Sequence, residues 1–357
     1  MIRLLTVVGA RPQFIKASML SRAVASADGI TEVLVHTGQH FDAEMSDVFF
    51  TELDMSPPAH NLGIGGGTHG QNTGRMLEAI EGVILQERPT AVLVYGDTDT
   101  TLAAALAAAK LLKPVIHVEA GLRSYNMAMP EEINRRLTDH MSTLLLAPTT
   151  RAVDNLLGEG LSAAAIHNVG DIMFDVALHF GGVAEQRSSI LADLDLSRGQ
   201  YALATLHRQE NTDDRLRLER LIRALGECGL PVVLPLHPRT KRRIGEFRIA
   251  VPSSITIIGP VGYLDMAMLE KHAKFIATDS GGVQKEAFFH GVPCVTLRTE
   301  TEWVELVETG WNRLVSPTSD ALESAFLGLD VGQSGVRPYG DGDAAGRVLD
   351  VVRSALA

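Results

Sequence analysis

Short apolar runs alternate with helix-length segments along most of the chain, and that alternation restricts the fold to one class. Strand-like runs fall at residues 3–8, 31–36, 91–95, 114–118, 144–147 and 166–169. Helical patterns are expected between them, at about 41–53, 70–86, 100–112, 131–141 and up to 159. A strand that returns to its sheet through a helix lies parallel to the strand it left, so the pattern describes an α/β chain with a doubly wound parallel sheet. The pattern loosens over 175–200, read as a connecting helix and linker, and restarts with runs at 201–206, 232–236, 255–258, 275–278 and 294–297. A chain of 357 residues also exceeds what one core usually supports. The expected division is a first domain of residues 1–170, completed by a C-terminal helix at 342–357, and a second domain of 171–341.

The net charge of −11 argues against nucleic acid or an acidic membrane as a partner, because a phosphate backbone needs a basic surface. A small anion held by a few local cations remains allowed. Cys228 and Cys294 form neither a CxxC pair nor a disulfide framework and read as reduced thiols. With an apolar start too short to span a membrane and without a signal-peptide cleavage region, the expected location is cytoplasmic. No metal-ligand spacing occurs. The first strand is followed by one glycine, Gly9, and not by GxGxxG, so no nicotinamide cofactor is indicated and no cofactor is expected.

In parallel sheets, ligands bind beyond the carboxyl ends of the strands, and the residues at those ends carry the chemistry here. After the first strand, Gly9-Ala-Arg-Pro-Gln13 opens a helix with Pro12 read as its first residue, placing Arg11 and Lys16 at an anion-binding start. The 91–95 strand ends in Gly96-Asp97-Thr98-Asp99; Asp99 reads as a helix N-cap, and Asp97 as either a satisfied turn carboxylate or a catalytic group. Glu119 ends the 114–118 strand, and Pro130 starts a helix with Glu131 and Glu132 in its first turn. Glu132 reads as a helix-dipole residue, Glu131 and Glu132 being placed to pair with Arg135 and Arg136 four residues on. Glu119 and Glu131 are expected to face each other, raise one another's pKa and exchange protons. The loop over 54–67, with Gly65-Gly66-Gly67, reads as a flap.

The second half repeats the placement. His207 follows a strand and is a candidate to balance charge on a leaving phosphate, with Asn211 or Thr212 capping the next helix. His237-Pro238 follows the next strand, ahead of a basic run at 239–243 read as a solvated helix start. Asp279-Ser-Gly-Gly-Val-Gln-Lys-Glu286 offers the Ser280 hydroxyl and the bare backbone of Gly281 and Gly282 at a helix N-terminus, with Glu286 one turn on to accept from sugar hydroxyls. Tight packing alone could also explain a diglycine.

Taken together, Gly9-Ala-Arg-Pro-Gln13 with Lys16, Tyr95-Gly-Asp-Thr98, His117-Val-Glu-Ala-Gly-Leu-Arg123, Met129-Pro-Glu-Glu-Ile-Asn134, His207-Arg-Gln-Glu210, Asp279-Ser-Gly-Gly-Val-Gln-Lys-Glu286 and Thr301-Glu302 resemble the non-hydrolysing UDP-N-acetylglucosamine 2-epimerases. The resemblance implies the glycosyltransferase-B fold, two Rossmann-like domains facing a cleft. It also implies reversible conversion of UDP-GlcNAc to UDP-ManNAc by elimination and re-addition of UDP, and a homodimer. Asp97, Glu119 and Glu131 would be the acid/base carboxylates, with Arg11, Lys16 and His207 at the diphosphate. Arg208, His237, Ser280, Gly281, Gly282, Glu286, Arg298 and Glu302 complete the implied substrate- and UDP-binding set.

Phe41-Asp42 after Gln39-His40 departs from the pattern of the family's allosteric UDP-GlcNAc pocket and argues against that regulation. Gly-Ala-Arg-Pro-Gln, His36-Thr-Gly-Gln-His-Phe-Asp42 and Thr301-Glu-Trp-Val-Glu305 look like the branch acting on UDP-2,3-diacetamido-2,3-dideoxyglucuronate, the alternative substrate. A glycosyltransferase of the same fold is the alternative from another class.

Overall fold

The computed structural model describes residues 1–39 and 52–356. The helix expected at 41–53 and the positions following Gln39 in the proposed regulatory motif lie, apart from residues 52 and 53, outside the described residues. The chain divides into two compact units, Met1–Val176 with Arg337–Ala357, and Ala177–Val336.

In chain order the first unit runs β1 Ile2–Val8, α1 Arg11–Ala25, β2 Ile30–His36, β3 His60–Asn61, α2 His69–Glu87, β4 Ala91–Tyr95, α3 Asp99–Lys110, β5 Val115–Val118, α4 Pro130–Met141, β6 Leu144–Ala147, α5 Thr150–Gly158 and β7 Ile166–Asn168. Helix α6, Ile172–Arg187, then carries the chain into the second unit. That unit contains α7 Ile190–Asp193, β8 Ala202–Thr205, α8 Gln209–Thr212, α9 Arg215–Gly226, β9 Val232–Pro235, α10 Pro238–Phe247, β10 Ile255–Ile258, α11 Tyr263–His272, β11 Phe275–Thr278, α12 Gly281–Phe289, β12 Cys294–Thr296, α13 Val304–Glu308 and β13 Asn312–Leu314. The last helix, α14 Ala344–Leu356, belongs to the first unit and packs on α1.

The first sheet has the order β3-β2-β1-β4-β5-β6-β7 and the second β10-β9-β8-β11-β12-β13, with every recorded pairing parallel. The direction of strand addition reverses between β1 and β4 in the first sheet and between β8 and β11 in the second. Topological switch points therefore lie at Gly9 with Gly96, and at His207 with Asp279. The central strands are buried on both faces, which is why they read as unbroken apolar runs and not as alternating ones. Against one face of the first sheet lies α3, whose Ala103, Ala104, Ala105, Ala107 and Ala108 are fully buried beside Val92 and Val94. Alanine lets that helix approach the sheet closely while retaining high helix propensity.

Several local expectations shift. Helix α1 starts at Arg11, so Pro12 is its second residue. Thr98, not Asp99, caps α3, its side chain accepting from the Thr101 amide. Asp214 caps α9, while Asn211 is turned inward instead. The 54–67 loop contributes the short edge strand β3, and its glycines are tethered: Arg75 donates to the Gly65 carbonyl at 3.3 Å and the Gly67 amide donates to Asn72 at 3.1 Å. Cys228 and Cys294 are buried free thiols.

The return of α14 depends on one carboxylate. Asp175, buried at the start of α6, accepts the amides of Ala344 at 3.0 Å and Ala345 at 2.8 Å, which would otherwise be orphaned at the first turn of α14. Burial pushes its carboxyl pKa up, and the two amide bonds only partly oppose this. Asp175→Ala should therefore lower unfolding free energy by about 1–3 kcal/mol, the usual loss on leaving buried donors unpaired. Urea unfolding followed by far-UV circular dichroism measures it; an unchanged midpoint would remove the cap from the account.

Candidate active site

At the polar edge of the first sheet, Glu119 follows β5 with φ of 71°, in the left-handed region that a glutamate adopts at a cost. Its amide and that of Ala120 donate to the Leu146 carbonyl, and Gly121 follows at φ 83°. A Cβ on Gly121 would stand 2.4 Å from the Ala152 carbonyl oxygen, so the chain must pass here without a side chain. The strained turn directs Glu119 back over the sheet edge, where its carboxylate forms an ion pair with Lys16 of α1, both side chains being about nine-tenths buried. This pair lies over Gly96: a Cβ there would be 3.2 Å from Glu119 Oε2 and 3.5 Å from Lys16 Nζ. Asp97 comes next in the chain and pairs with Arg135 of α4.

Asp97, Glu119 and Lys16 are therefore brought together at adjacent strand ends. Of the two carboxylates expected to face each other, Glu119 is ion-paired with Lys16 and Glu131 is exposed on α4. The first turn of a helix directs consecutive residues about 100° apart, and here it turns Glu132, not Glu131, inward. Glu132 is fully buried, pairs with Arg135 at 2.9 Å, and accepts the Ser124 amide at 2.9 Å and its hydroxyl at 3.0 Å. It pairs three residues along the helix and also fixes the long loop that precedes it. Pro130 occupies the first helical position as expected, and Arg11 opens α1.

The supporting roles of Gln13 and Asn134 were missed by sequence reasoning. Gln13, fully buried, accepts the amides of Gly9 at 2.8 Å and Ala10 at 3.0 Å. Its amide nitrogen donates to the Tyr95 carbonyl at 2.9 Å and Thr101 Oγ1 at 3.0 Å. Glutamine three residues into a helix whose cap is alanine is the available signal. Asp99, released from capping, holds His69 Nδ1 at 2.8 Å and receives Asn134, which also donates to the Asp97 carbonyl at 3.0 Å.

Beneath these lies a closed charge network. His117 of β5 contacts Asp139 through Nδ1 at 2.7 Å and the Gly96 carbonyl through Nε2 at 2.7 Å. Asp139 also accepts the Gly121 amide at 3.1 Å and Arg123 Nη1 at 2.7 Å. Arg123 grips Glu159 with two bonds of 2.7 and 2.8 Å. The Arg123 guanidinium holds the Glu159 carboxyl down to about 2, against a smaller opposing effect of burial.

In the second unit, Asp279 sits at the end of β11, buried, and accepts the backbone amides of His207 and Arg208, the Asn211 amide and His207 Nδ1 at 3.1 Å. Burial alone would raise its pKa, but these donors, His207 foremost, bring it below the ordinary carboxylate range. They also orient the half-exposed His207 ring at the switch point. Ser280 caps α12, followed by Gly281 and Gly282. Neither glycine has a positive φ, and a Cβ on either would meet nothing closer than 4.0 and 3.8 Å respectively. Tight packing does not explain this diglycine. Trp303 Nε1 donates to the Gly281 carbonyl at 2.9 Å, and the Lys285 ammonium lies 4.1 Å from the Trp303 ring centroid.

Arg298, buried, forks onto Glu302 at 2.9 and 3.2 Å, with Arg208 at 4.0 Å from the same carboxylate. Burial would push Glu302 up; Arg298 outweighs it and holds the carboxyl below its ordinary range. Glu286 is half-buried one turn into α12. His237 caps α10, its Nδ1 accepting the Arg239 amide at 3.2 Å, and the basic run is not simply solvated, because Arg239 and Arg243 both hold Asp213.

A family model described as UDP-N-acetylglucosamine 2-epimerase matches residues 22–353. The UDP-2,3-diacetamido-2,3-dideoxy-D-glucuronate 2-epimerase of Pseudomonas aeruginosa is 53% identical over 357 residues, covering 98% of this chain and 99% of its own. The UDP-N-acetylglucosamine 2-epimerase of Methanocaldococcus jannaschii is 43% identical over 362 residues, with 98% and 99% covered. A crystal structure of that organism's UDP-GlcNAc 2-epimerase in complex with UDP-GlcNAc and UDP matches with a TM-score of 0.90 at 42% identity, over 99% of this chain and 100% of the other. The expected fold, α/β units of the glycosyltransferase-B type, is borne out by this likeness.

The Arg123–Glu159 fork carries a pH signature. Because Glu159 titrates near 2 in the folded state, below its ordinary 4.5, its contribution is complete above about pH 4.5 and is lost as pH falls towards 2. Glu159→Gln should accordingly be less stable than the parent at pH 7, with the gap narrowing between pH 4.5 and 2. Denaturant unfolding of both proteins at pH 7 and pH 3 tests this, and a gap of equal size at both values would contradict the ion pair.

Proposed function

The chain belongs to the UDP-N-acetylglucosamine 2-epimerase family and is an isomerase, and on that premise we propose that it inverts C2 of UDP-2,3-diacetamido-2,3-dideoxyglucuronate. The observation that carries the substrate is the 53% identity, over nearly the full length of both chains, to the Pseudomonas aeruginosa enzyme of that name. The Trp303-Val304 and Phe41-Asp42 departures agree with it. UDP-GlcNAc to UDP-ManNAc is the second reading, favoured by the 43% identical Methanocaldococcus jannaschii enzyme. Membership of an epimerase family disfavours the glycosyltransferase alternative.

The chemistry follows from the substrate. No carbonyl on the ring activates H2, so a carboxylate takes H2 while the C1–O bond breaks and the electron pair leaves with UDP. A 2-acetamidoglycal remains. UDP oxygen then re-forms the C1 bond while a proton is delivered to C2 from the opposite face. The reaction thus needs proton carriers for C2 and cations that hold the diphosphate while it is free.

Asp97 and Glu119 are assigned to proton transfer, the support being their adjacency at the switch-point edge and the strained backbone of Glu119. Glu131, exposed one residue from the buried Glu132, is assigned as the third carrier on the family motif alone. Arg11, Lys16 and His207 are assigned to the diphosphate. Lys16 touches Glu119, and it would couple the departure of UDP to the state of that carboxylate. The α12 N-terminus with Ser280, Gly281 and Gly282 is assigned to phosphate and Glu286 to the ribose hydroxyls. The support there is that neither backbone conformation nor packing demands glycine at 281 or 282. Arg208, His237 and the Arg298–Glu302 fork are assigned to framing the nucleotide.

Proton NMR in D2O, with each UDP-sugar supplied separately, tests the reading. Deuterium at C2 of the inverted product from the diacetamido uronate, and slower or no exchange with UDP-GlcNAc, is expected; the reverse preference would move the chain to the second reading. Glu119→Gln should lower kcat by about 10²–10⁴-fold, the usual worth of a general acid or base, while UDP affinity measured by calorimetry changes little. Unaltered turnover would remove Glu119 from the mechanism.

A further inference from the structure

We propose that His117 is held as a doubly protonated imidazolium and acts as a positioning residue for Asp97; the second half of this rests on the assignment of Asp97 as a proton carrier. His117 is completely buried in β5 and makes two short contacts, one from each ring nitrogen. Nε2 lies 2.7 Å from the Gly96 carbonyl oxygen, an atom that only accepts, so Nε2 carries a hydrogen. Nδ1 lies 2.7 Å from Asp139 Oδ1. Asp139 also receives the Gly121 amide and the Arg123 guanidinium on Oδ2, contacts that favour the ionised carboxylate. An ionised carboxylate oxygen accepts only, so Nδ1 carries a hydrogen as well.

The surroundings supply charges from each side: His140 and Arg136 of α4 reach Glu159, Arg135 of α4 pairs with Glu132 and Asp97, and Lys16 of α1 pairs with Glu119 above Gly96.

The geometry points to a purpose for this ring. Glu119 follows His117 by two positions, and the His117 ring holds the carbonyl of Gly96, the residue before Asp97. The Gly96 amide donates to the Val118 carbonyl at 3.0 Å, and the next carbonyl, that of Asp97, is held by Asn134 at 3.0 Å. Asp97 is thereby suspended between two fixed carbonyls. His117 ties the turn that bears it to the strand that bears Glu119, and a shift of about 1 Å at such a point costs on the order of 10²-fold in rate.

The test begins with the unaltered protein. Nitrogen-15 NMR of histidine-labelled enzyme, with His117 assigned through backbone connectivity, should show both ring nitrogens protonated at pH 7. One unprotonated ring nitrogen would overturn the imidazolium. Asp139→Asn should convert the same ring to a neutral form. For positioning, His117→Gln should lower kcat by about 10²-fold with KM within a few-fold, and His117→Asn, whose shorter amide does not span to Gly96, should fall further. If both variants fold and kcat is unchanged, His117 does not position Asp97. A fully active Asp97→Asn would instead overturn the assignment of Asp97 while leaving the NMR result standing, so the two failures are separable.

Discussion

The side-chain amide of Gln13 joins the two turns at the switch point of the first sheet, and the polar edge of that unit depends on it. Alanine at position 10 has no group with which to cap α1, and the Gly9 and Ala10 amides would be left without acceptors. Gln13 Oε1 takes both, and its nitrogen reaches across to Tyr95 and Thr101 of the β4–α3 turn. All four of its hydrogen-bonding positions are used in a buried setting, where an unmade bond would cost its full desolvation penalty. The turn carrying Arg11 and Lys16 is in this way locked to the turn carrying Asp97 before any ligand is considered.

Above that lock the unit concentrates charge where there is little water. Lys16 with Glu119, Arg135 with Asp97 and Glu132, and Arg123 with Asp139 and Glu159 are each mostly buried. Pairs of this kind contribute little net stability, because desolvation offsets their attraction, but removing one partner is strongly destabilising. They act as constraints on geometry. Each carboxylate at the strand ends has a fixed cation, and the positive φ of Glu119 is held in place by the same surroundings.

The strands that carry the site were legible in the sequence because burial on both faces leaves unbroken apolar runs. The short strands β3 and β13 were not, since His60–Asn61 and Asn312–Leu314 are held by their neighbours and carry little periodicity of their own. Thr98 and Asp99 are both good capping residues, and only the tertiary contacts of His69 and Asn134 with Asp99 decide between them. The positions of Asp97 and Glu119 at strand ends were legible; their partners were not. Lys16 and Glu119 are separated by 103 residues, and whether Glu131 or Glu132 turns inward depends on the rotation of α4, which sequence spacing does not set.

Glycines that follow strand ends look alike in sequence, yet the structure separates them by cause. A Cβ on Gly9 would be 2.1 Å from Thr37 Oγ1, and one on Gly121 would be 2.4 Å from the Ala152 carbonyl, so those two are fixed by the chain's own packing. Gly281 and Gly282 are fixed by neither packing nor φ. They stand at the first turn of α12, behind an Asp279 whose carboxylate already accepts from His207, Arg208 and Asn211. An amide-lined helix start with no Cβ suits the close approach of an anion from outside the chain. The first unit's glycines at 9 and 121 are set by the packing of the backbone around them, whereas the second unit's diglycine leaves its backbone bare.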